Sequence, residues 1–336
     1  MKKFFSFLIF LLIGAALFVF IIHNVGWGEI LLVLKTFSFG AGLIILVLTI
    51  SSYLIRSWRW KTVLKSQGYN IPTLRIAEYY LSGNAIGFFF PMVVLGGEIF
   101  RGYDLKEKYS VPWPKSIASV FIDRFLEATI NAIVIILGIF FFFSRANFQS
   151  GKLEIGLFAL AILTALVIGT FYFKSFRKES IIKFFLKKFN LKNHNGADTI
   201  IDVEKEIFAY FRPNKKTMWQ GFGLTLLVEF ILLTRAFLLI LFLGKYTGFF
   251  AALAVVAFSF LAVTIPIPAA IGSHEAIQSF IFNSLGLGAN TGLAFVFIIR
   301  AVELTLALVG LAMFFRLGVG LLQKFILKRI KKLLNK

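Results

Sequence analysis

Six long apolar segments, each close to the length of a membrane-crossing helix, dominate the chain. About 20 apolar residues in a helix cover a hydrocarbon layer about 30 Å thick. The segments run over Phe4–Ile22, Phe39–Ile55, Ser116–Phe143, Ile155–Phe173, Met218–Leu243 and Leu293–Phe315. The first is longer than the apolar part of a secretory signal and no A-x-A-like cleavage site follows it, so we interpret it as a retained anchor. The pattern predicts six spans.

Two further apolar stretches, Ile76–Phe100 and Phe249–Leu285, are interrupted by glycine and proline. The interruptions are Gly83, Gly87, Pro91, Gly96 and Gly97 in the first stretch, and Pro266, Pro268 and Gly272 in the second. Proline and glycine break or bend helices, so both stretches are interpreted as bent re-entrant hairpins. The predicted fold is therefore an all-α polytopic membrane protein with six full spans and two broken hairpins, or up to eight membrane segments.

Composition agrees with this pattern, since 59% of the 336 residues are hydrophobic and only 15% are charged. The net charge of +20 would suit nucleic-acid binding, but the positions of the basic residues give another explanation. With the N-terminus in the cytoplasm, 29 Lys and Arg residues fall in cytoplasmic segments and four in outer loops. This asymmetry follows the positive-inside rule. It predicts a multi-pass protein of the cell membrane with both termini cytoplasmic and no nucleic-acid partner.

One transmembrane domain over residues 1–316 accounts for nearly the whole chain. Within it, residues 174–216 form a cytoplasmic loop that carries 11 basic and five acidic residues, where we expect short helices near the headgroups. Residues 317–336 combine apolar positions at helical spacing with lysines and arginines, which predicts a basic amphipathic tail at the cytoplasmic surface.

Ionisable residues at costly intramembrane positions recur in the same order in both halves. The first half has Arg56, Pro91, Glu98, Arg124 and Glu127, and the second has Arg235, Pro268, Glu275, Arg300 and Glu303. Proline precedes the first glutamate by seven residues in both halves, and that glutamate precedes the next arginine by 26 or 25 residues. The threading gives the two units opposite orientations. We therefore predict an inverted repeat, about 39–143 and about 218–315, as in many transporters.

These charged residues are the candidate substrate-binding site, and two interpretations remain open. An Arg and a Glu three residues apart share a helix face, so Arg124 with Glu127 and Arg300 with Glu303 can neutralise one another. Alternatively, the arginines bind a lipid phosphate through their planar donors, while Glu98 and Glu275 position them or meet a cationic headgroup. Nearby glycines, Gly96, Gly97 and Gly272, would then supply free backbone amides.

Other chemistry is not indicated by the sequence. His274-Glu275 begins like a zinc-protease motif, but position 278 is Gln, so no metal site is predicted. The absence of cysteine excludes disulfides and thiolate ligands. Nucleotide-binding and nucleophile-elbow motifs are also missing. We therefore expect no cofactor and no catalytic residue.

Several motifs together resemble the family of the lysylphosphatidylglycerol synthase transmembrane region, also described as flippase-like membrane proteins. They are Arg56-Ser57-Trp58-Arg59-Trp60, Gly96-Gly97-Glu98 with Arg101, Asp123-Arg124-Phe125-Leu126-Glu127, and Pro266-x-Pro268 through Gly272-x-x-Glu275 with Arg300. The resemblance implies a unit that moves an aminoacylated phosphatidylglycerol or a polyprenyl-linked sugar lipid between leaflets. It also adds Arg101 to the candidate site. Where the family has a Gly-rich second hairpin, this chain has Ala269-Ala270-Ile271-Gly272.

Three functions follow from these observations. The leading hypothesis is a lipid flippase or transporter that binds a phosphate-bearing or anionic lipid and is not an enzyme. The second is a membrane-embedded lipid transferase, although the cytoplasmic lysyltransferase domain of two-part family members is not expected in the residues that follow the last span. The third is a membrane scaffold for a separate lipid synthase. The pattern indicates no particular oligomeric state.

Overall fold

The computed structural model describes residues 2–89, 96–145, 151–183, 197–265, 267 and 270–334. Throughout these ranges the chain forms helices joined by turns and short connections, with no strand. The helices of the first half are α1 (Lys2–Val25), α2 (Trp27–Lys35), α3 (Phe39–Ser66), α4 (Thr73–Phe89), α5 (Gly96–Tyr109) and α6 (Trp113–Arg145). Those that follow are α7 (Gly151–Arg177), α8 (Ala197–Tyr210), α9 (Lys216–Phe242), α10 (Phe249–Thr264), α11 (Ser273–Ser284) and α12 (Ala289–Leu334).

Five of the described helices, α3, α6, α7, α9 and α12, are long and apolar enough to cross a membrane. A sixth candidate is the pair formed by Ala15–Val25 of α1 and all of α2, which is bent by 79°. The bend lies at Gly26, whose φ of 89° is in the left-handed region that glycine adopts without a steric penalty. These helices confirm the predicted all-α polytopic membrane protein.

Each of the two broken stretches forms two helices rather than one. The first gives α4 and α5, and the second gives α10 and α11. The breaks contain Pro91, Pro266 and Pro268, which lie outside the described residues. That both pairs enter and leave the membrane on one side stays a prediction.

The first pair of helices, α4 and α5, is packed unusually closely at two glycines. A Cβ atom built on Gly97 would lie 2.1 Å from the backbone oxygen of Gly83, a distance that no side chain tolerates. In the second pair, the Gln278 side chain of α11 donates to Val255 O at 2.9 Å and to Ser259 Oγ at 2.7 Å, both on α10. Each pair is therefore held together by specific contacts.

Two apolar clusters flank a polar layer in the helix bundle. One cluster comes mainly from α6, α9, α10, α11 and α12, and the other mainly from α3, α4, α5, α6 and α8. Along α3, Ile45 belongs to the first cluster and Trp60 to the second, while the polar Thr49, Ser52 and Arg56 lie between them. The charged residues are thus held between two hydrophobic cores that fix their heights along the helices.

Outside the bundle core, the loop 174–216 contains α8, which packs its Ile207 and Phe208 into the second apolar cluster. Glu204 of α8 accepts hydrogen bonds from the backbone N–H groups of Ile181 and Ile182 at 2.7 and 2.9 Å. Residues 184–196 of this loop lie outside the described part. The tail after residue 316 continues α12 without a break to Leu334, and its location at the membrane surface stays a prediction.

Candidate functional site

A groove of about 690 Å³ lies in the polar layer of the bundle. Ligand pockets of small molecules are typically about 300–1,000 Å³, so a lipid headgroup fits this volume. Its walls come mainly from α3, α4, α6, α9, α10 and α12. The charged side chains that line it are Arg56, Glu98, Arg124, Glu127, Arg235, Arg300 and Glu303. All seven belong to the set that the sequence predicted.

Glu127 of α6 is the centre of the ion pairs in the first half. Its carboxylate accepts from Arg56 Nη1 at 2.5 Å, from Arg124 Nη1 at 3.1 Å and from Arg59 Nη2 at 3.4 Å. Buried carboxylates are tolerated only when charges and hydrogen bonds compensate for the lost water. Three arginines from two helices meet that requirement here.

Arg124 is the arginine that faces the groove most openly, with 35% of its side chain exposed. Its Nε donates to Glu98 Oε1 of α5 at 2.8 Å, while its Nη1 contacts Glu127. A guanidinium has five N–H donors, so these two bonds leave donors for a ligand. Arg124 therefore presents positive charge to the groove from a position that two carboxylates fix.

In the second half each arginine contacts one carboxylate and one neutral oxygen. Arg235 Nη2 lies 3.7 Å from Glu303 Oε1, and its Nη1 donates to Thr49 Oγ1 at 3.1 Å. Arg300 Nη2 lies 3.2 Å from Glu275 Oε2 and also donates to the backbone oxygen of Ala270. Within the part of the chain that the structure describes, the Nε atoms of both arginines have no hydrogen-bond partner.

The same two kinds of pair occur in both halves. Glu98 contacts Arg124 as Glu275 contacts Arg300, and Arg56 contacts Glu127 as Arg235 contacts Glu303. The ordered landmarks of the sequence are therefore matched by equivalent contacts, although the opposite orientation of the two units stays a prediction.

The two Arg-x-x-Glu motifs differ in their internal pairing. The Arg124–Glu127 pair is formed at 3.1 Å. Among the described residues Arg300 and Glu303 do not form an ion pair, because each contacts a residue of another helix or turn. The alternative in which each motif neutralises itself therefore applies to the first half alone.

Two of the predicted residues lie behind the groove wall. Arg101 is 1% exposed, donates to Asp123 Oδ2 at 3.0 Å, and places its guanidinium over the rings of Trp60 and Tyr80. Asp123 contacts Arg59 and Arg101 rather than Arg124. Glu275 is fully buried and reaches the groove only through Arg300.

The glycines near these residues serve packing and capping. Gly97 is in close contact with Gly83, and the amide of Gly272 donates to Glu275 Oε2 at 2.8 Å. The expectation of a free amide is therefore wrong at Gly272, because the carboxylate three residues later occupies it.

Several polar residues of the site were missed by sequence reasoning. Arg59 follows Arg56 by three residues, so the Arg-x-x-Arg spacing on one helix face was a usable signal. Asn84 donates to Tyr53 Oη at 2.8 Å, and His274 Nε2 lies 3.3 Å from Ser259 Oγ. Asn84 and His274 both line the groove, and for them only their polarity inside an apolar stretch was a hint.

The charged residues fall into two groups. The first ion-pair cluster is a connected network of Arg56, Arg59, Glu98, Arg101, Asp123, Arg124 and Glu127. The second ion-pair cluster consists of two separate pairs, Arg235 with Glu303 and Arg300 with Glu275. Four arginines and three carboxylates give the first cluster a formal charge of +1, whereas the second is neutral.

Comparison with known proteins gives one family and two relatives. A family model described as the lysylphosphatidylglycerol synthase TM region matches residues 7–310. UPF0104 membrane protein MJ1595 of Methanocaldococcus jannaschii is 24% identical over 306 residues, which cover 82% of this chain and 91% of the relative. UPF0104 membrane protein PH1989 of Pyrococcus horikoshii is 24% identical over 254 residues, which cover 70% of this chain and 74% of the relative.

Proposed function

Because the chain belongs to the family of the lysylphosphatidylglycerol synthase transmembrane region, we propose that it moves a phosphate-bearing lipid between the two leaflets of the membrane. The observation that carries the proposal is the groove of about 690 Å³ with four arginines in its wall. Placing charged side chains inside a membrane bundle costs free energy, and such residues mark substrate pathways. Their concentration around one cavity favours a binding site over separate structural pairs.

The guanidinium group suits a phosphate because its planar donors match two phosphate oxygens at once. In the proposed complex, Arg124, Arg235 and Arg300 hold the phosphate. Each is paired with glutamate in the structure, so a bound phosphate exchanges one anionic partner for another. This exchange keeps the buried arginines compensated throughout the movement, which lowers the cost of carrying a phosphate across the bilayer.

Apolar residues give the acyl chains a path out of the groove. Phe88, Phe260 and Val263 line the groove beside the charged residues. Val263 is 64% exposed, so this part of the groove wall opens to the outside of the bundle. The headgroup is therefore proposed to sit among the arginines while the chains trail into the bilayer.

The substrate class is a lipid with a phosphodiester, such as an aminoacylated phosphatidylglycerol or a polyprenyl-linked sugar. Glu303, with 33% of its side chain exposed, is the carboxylate most open to the groove and is placed to meet a cationic headgroup amine. Membrane lipids are thus the proposed partners, and a separate synthase that makes the lipid is a natural further partner.

Leaflet translocation in proteoliposomes tests the proposal. The panel contains phosphatidylglycerol, lysylphosphatidylglycerol and a polyprenyl-phosphate sugar, each with a fluorescent or chemically accessible headgroup. We expect Arg124→Ala to slow translocation at least about tenfold, since loss of one charge-assisted contact of about 1.5–3 kcal/mol has this effect on a rate. The control is Arg177→Ala, because Arg177 is exposed and lies outside the groove.

Unchanged translocation by a folded Arg124→Ala variant would contradict the role of the groove. Failure of the folded wild type to move any lipid would reject transport. Product formation with lysyl-tRNA or a nucleotide-sugar would then indicate a transferase, and a stable complex with a synthase would indicate a scaffold.

A further inference from the structure

Glu229, in the middle of α9, is an acidic residue of the polar layer that the ion pairs do not use. It is 3% exposed. With the Asn131 amide in the orientation that satisfies its neighbours, Asn131 Nδ2 donates to Glu229 Oε1 at 2.8 Å and to the backbone oxygen of Glu127 at 3.1 Å. Glu229 Oε2 has no hydrogen-bond partner among the described residues.

The other carboxylates of the layer differ from Glu229 in one respect. Glu98, Asp123, Glu127, Glu275 and Glu303 each lie within ion-pair distance of at least one arginine. Glu229 has no such contact in the described part of the chain, and its one polar contact is a neutral amide. A carboxyl that is not paired with a cation loses less on taking up a proton than a paired one does, so Glu229 is the carboxyl of the layer best placed to bind a proton.

The charged groups around Glu229 come from three helices. Arg56 and Arg59 on α3, Glu127 on α6 and Arg235 on α9 itself exert electrostatic effects on its carboxyl. The adjoining α10 contains no ionisable residue. On α12, Arg300 and Glu303 pair with Glu275 and Arg235. Arginines of both ion-pair clusters, Arg56 and Arg59 of the first and Arg235 of the second, therefore act electrostatically on Glu229 without forming an ion pair with it among the described residues.

The formal charge of the layer depends on this one residue. The two clusters together have six arginines and five carboxylates, so their sum is +1 when Glu229 is neutral and zero when it is ionised. A headgroup whose one ionised group is a phosphodiester, such as that of phosphatidylglycerol, carries a single negative charge. It balances the layer only when Glu229 holds a proton.

We propose that Glu229 is a proton-binding site coupled to the headgroup, so that one proton is bound when an anionic headgroup enters the groove and is released when it leaves. The carboxylate takes the proton from water to become a carboxylic acid, and the reverse step returns it. This inference rests on the proposed transport function. A negative phosphate nearby favours the neutral acid, and by thermodynamic reciprocity the neutral acid favours the phosphate.

Asn131 supplies the connection between the two sites. Its side chain lines the groove and also contacts Glu229, so the carboxyl lies one amide away from the bound headgroup. A proton bound with each headgroup moves in the same direction as the lipid. A pH gradient would therefore drive lipid in the direction of proton flow.

Calorimetric titration of the purified full-length protein with dihexanoylphosphatidylglycerol tests the proposal. Titrations in buffers of different ionisation enthalpy give the number of protons taken up per lipid bound. For the wild type we expect uptake approaching one proton at alkaline pH, with affinity that falls by up to about tenfold per pH unit. Glu229→Gln should bind with pH-independent affinity and take up no proton.

Two further variants complete the test. Asp104→Asn is the control, because it changes a buried carboxyl outside the groove and should leave the proton uptake as in the wild type. His274→Gln tests the competing proton site, because His274 lines the groove and a histidine side chain ordinarily binds a proton near neutral pH. Should His274→Gln abolish the proton uptake while Glu229→Gln does not, the proton site would be His274 and the proposal would be wrong.

The failure of the proton site and the failure of transport are distinguishable. Wild type that binds the lipid equally at all pH values without proton uptake overturns the proton site alone. Wild type that binds no anionic lipid overturns both. If Glu229→Gln does not fold, infrared difference spectra of the wild type decide the matter, since lipid addition should produce the carbonyl band of a protonated glutamate and its absence would reject the site.

Discussion

The two ion-pair clusters have matching landmarks but different connectivity. In the first cluster seven charged residues form one network, and Asp123 and Glu127 each contact more than one arginine. In the second, Arg235 and Arg300 each contact a single carboxylate among the described residues, at 3.7 and 3.2 Å. A carboxylate that contacts several arginines, as Asp123 and Glu127 do, cannot be released from them without cost. Glu275 and Glu303 each contact one arginine among the described residues, so they exchange more easily.

This difference indicates a division of roles. The first cluster fixes a net positive charge in the wall, because Arg59, Arg101 and Asp123 are almost fully buried behind it. In the proposed transport cycle, the second cluster supplies two of the three arginines that exchange a glutamate for the phosphate, and Arg124 is the one that the first cluster presents to the groove. Breaking each cluster in turn tests this interpretation.

The largest effect on stability is expected from Asp123→Ala in the first cluster. The substitution leaves Arg59 and Arg101 buried without their shared carboxylate, and breaking a buried ion pair costs about 3–5 kcal/mol. Thermal unfolding in detergent should show a large fall in melting temperature. Asp202→Ala, at an exposed pair with Lys205, is the control and should leave the melting temperature unchanged. Equal stability of the two variants would contradict the rigid first cluster.

An intermediate effect on stability is expected from Gly97→Ala in α5, the helix that carries Glu98. The new methyl group would collide with the backbone oxygen of Gly83, so α4 and α5 must separate. Overpacking of this kind costs about 1–3 kcal/mol. Chemical denaturation of the folded protein measures the decrease in the free energy of unfolding.

The matched control for that substitution is Gly156→Ala on α7, where an added Cβ meets no atom within 4 Å. Alanine is favoured over glycine inside a helix, so this variant should be as stable as the wild type or slightly more so. If both variants behaved alike, the close approach of α4 and α5 would not contribute to stability.

The smallest effect on stability is expected from Glu303→Gln in the second cluster. Its side chain is 33% exposed and its pair with Arg235 is long, and Arg235 keeps its contact with Thr49, so the change should cost less stability than either of the destabilising substitutions above. Translocation of a lipid with a cationic amine should nevertheless slow by more than that of phosphatidylglycerol. Rates for the two lipids in the same proteoliposomes measure the difference, and equal slowing would remove Glu303 from headgroup recognition.

Much of the candidate site was predictable because charges in apolar spans are costly and must meet one another. Seven of the nine predicted residues line the groove, and Arg101 and Glu275 lie directly behind it. The contact of Arg59 with Asp123 was not predictable, since 64 residues separate them and their helices had to pack first. Glu229 was missed because it lies outside the repeated pattern of landmarks.

The sequence by itself determined the spans, the all-α class and the set of charges that had to be buried together, because these depend on the length and polarity of each segment. Only the tertiary structure decided which charges became partners. Arg300 contacts Glu275 rather than the nearby Glu303, and Glu229 is left with an amide. The physical reason is that ion-pair distances of a few ångströms depend on helix rotation and packing, which local sequence spacing does not specify.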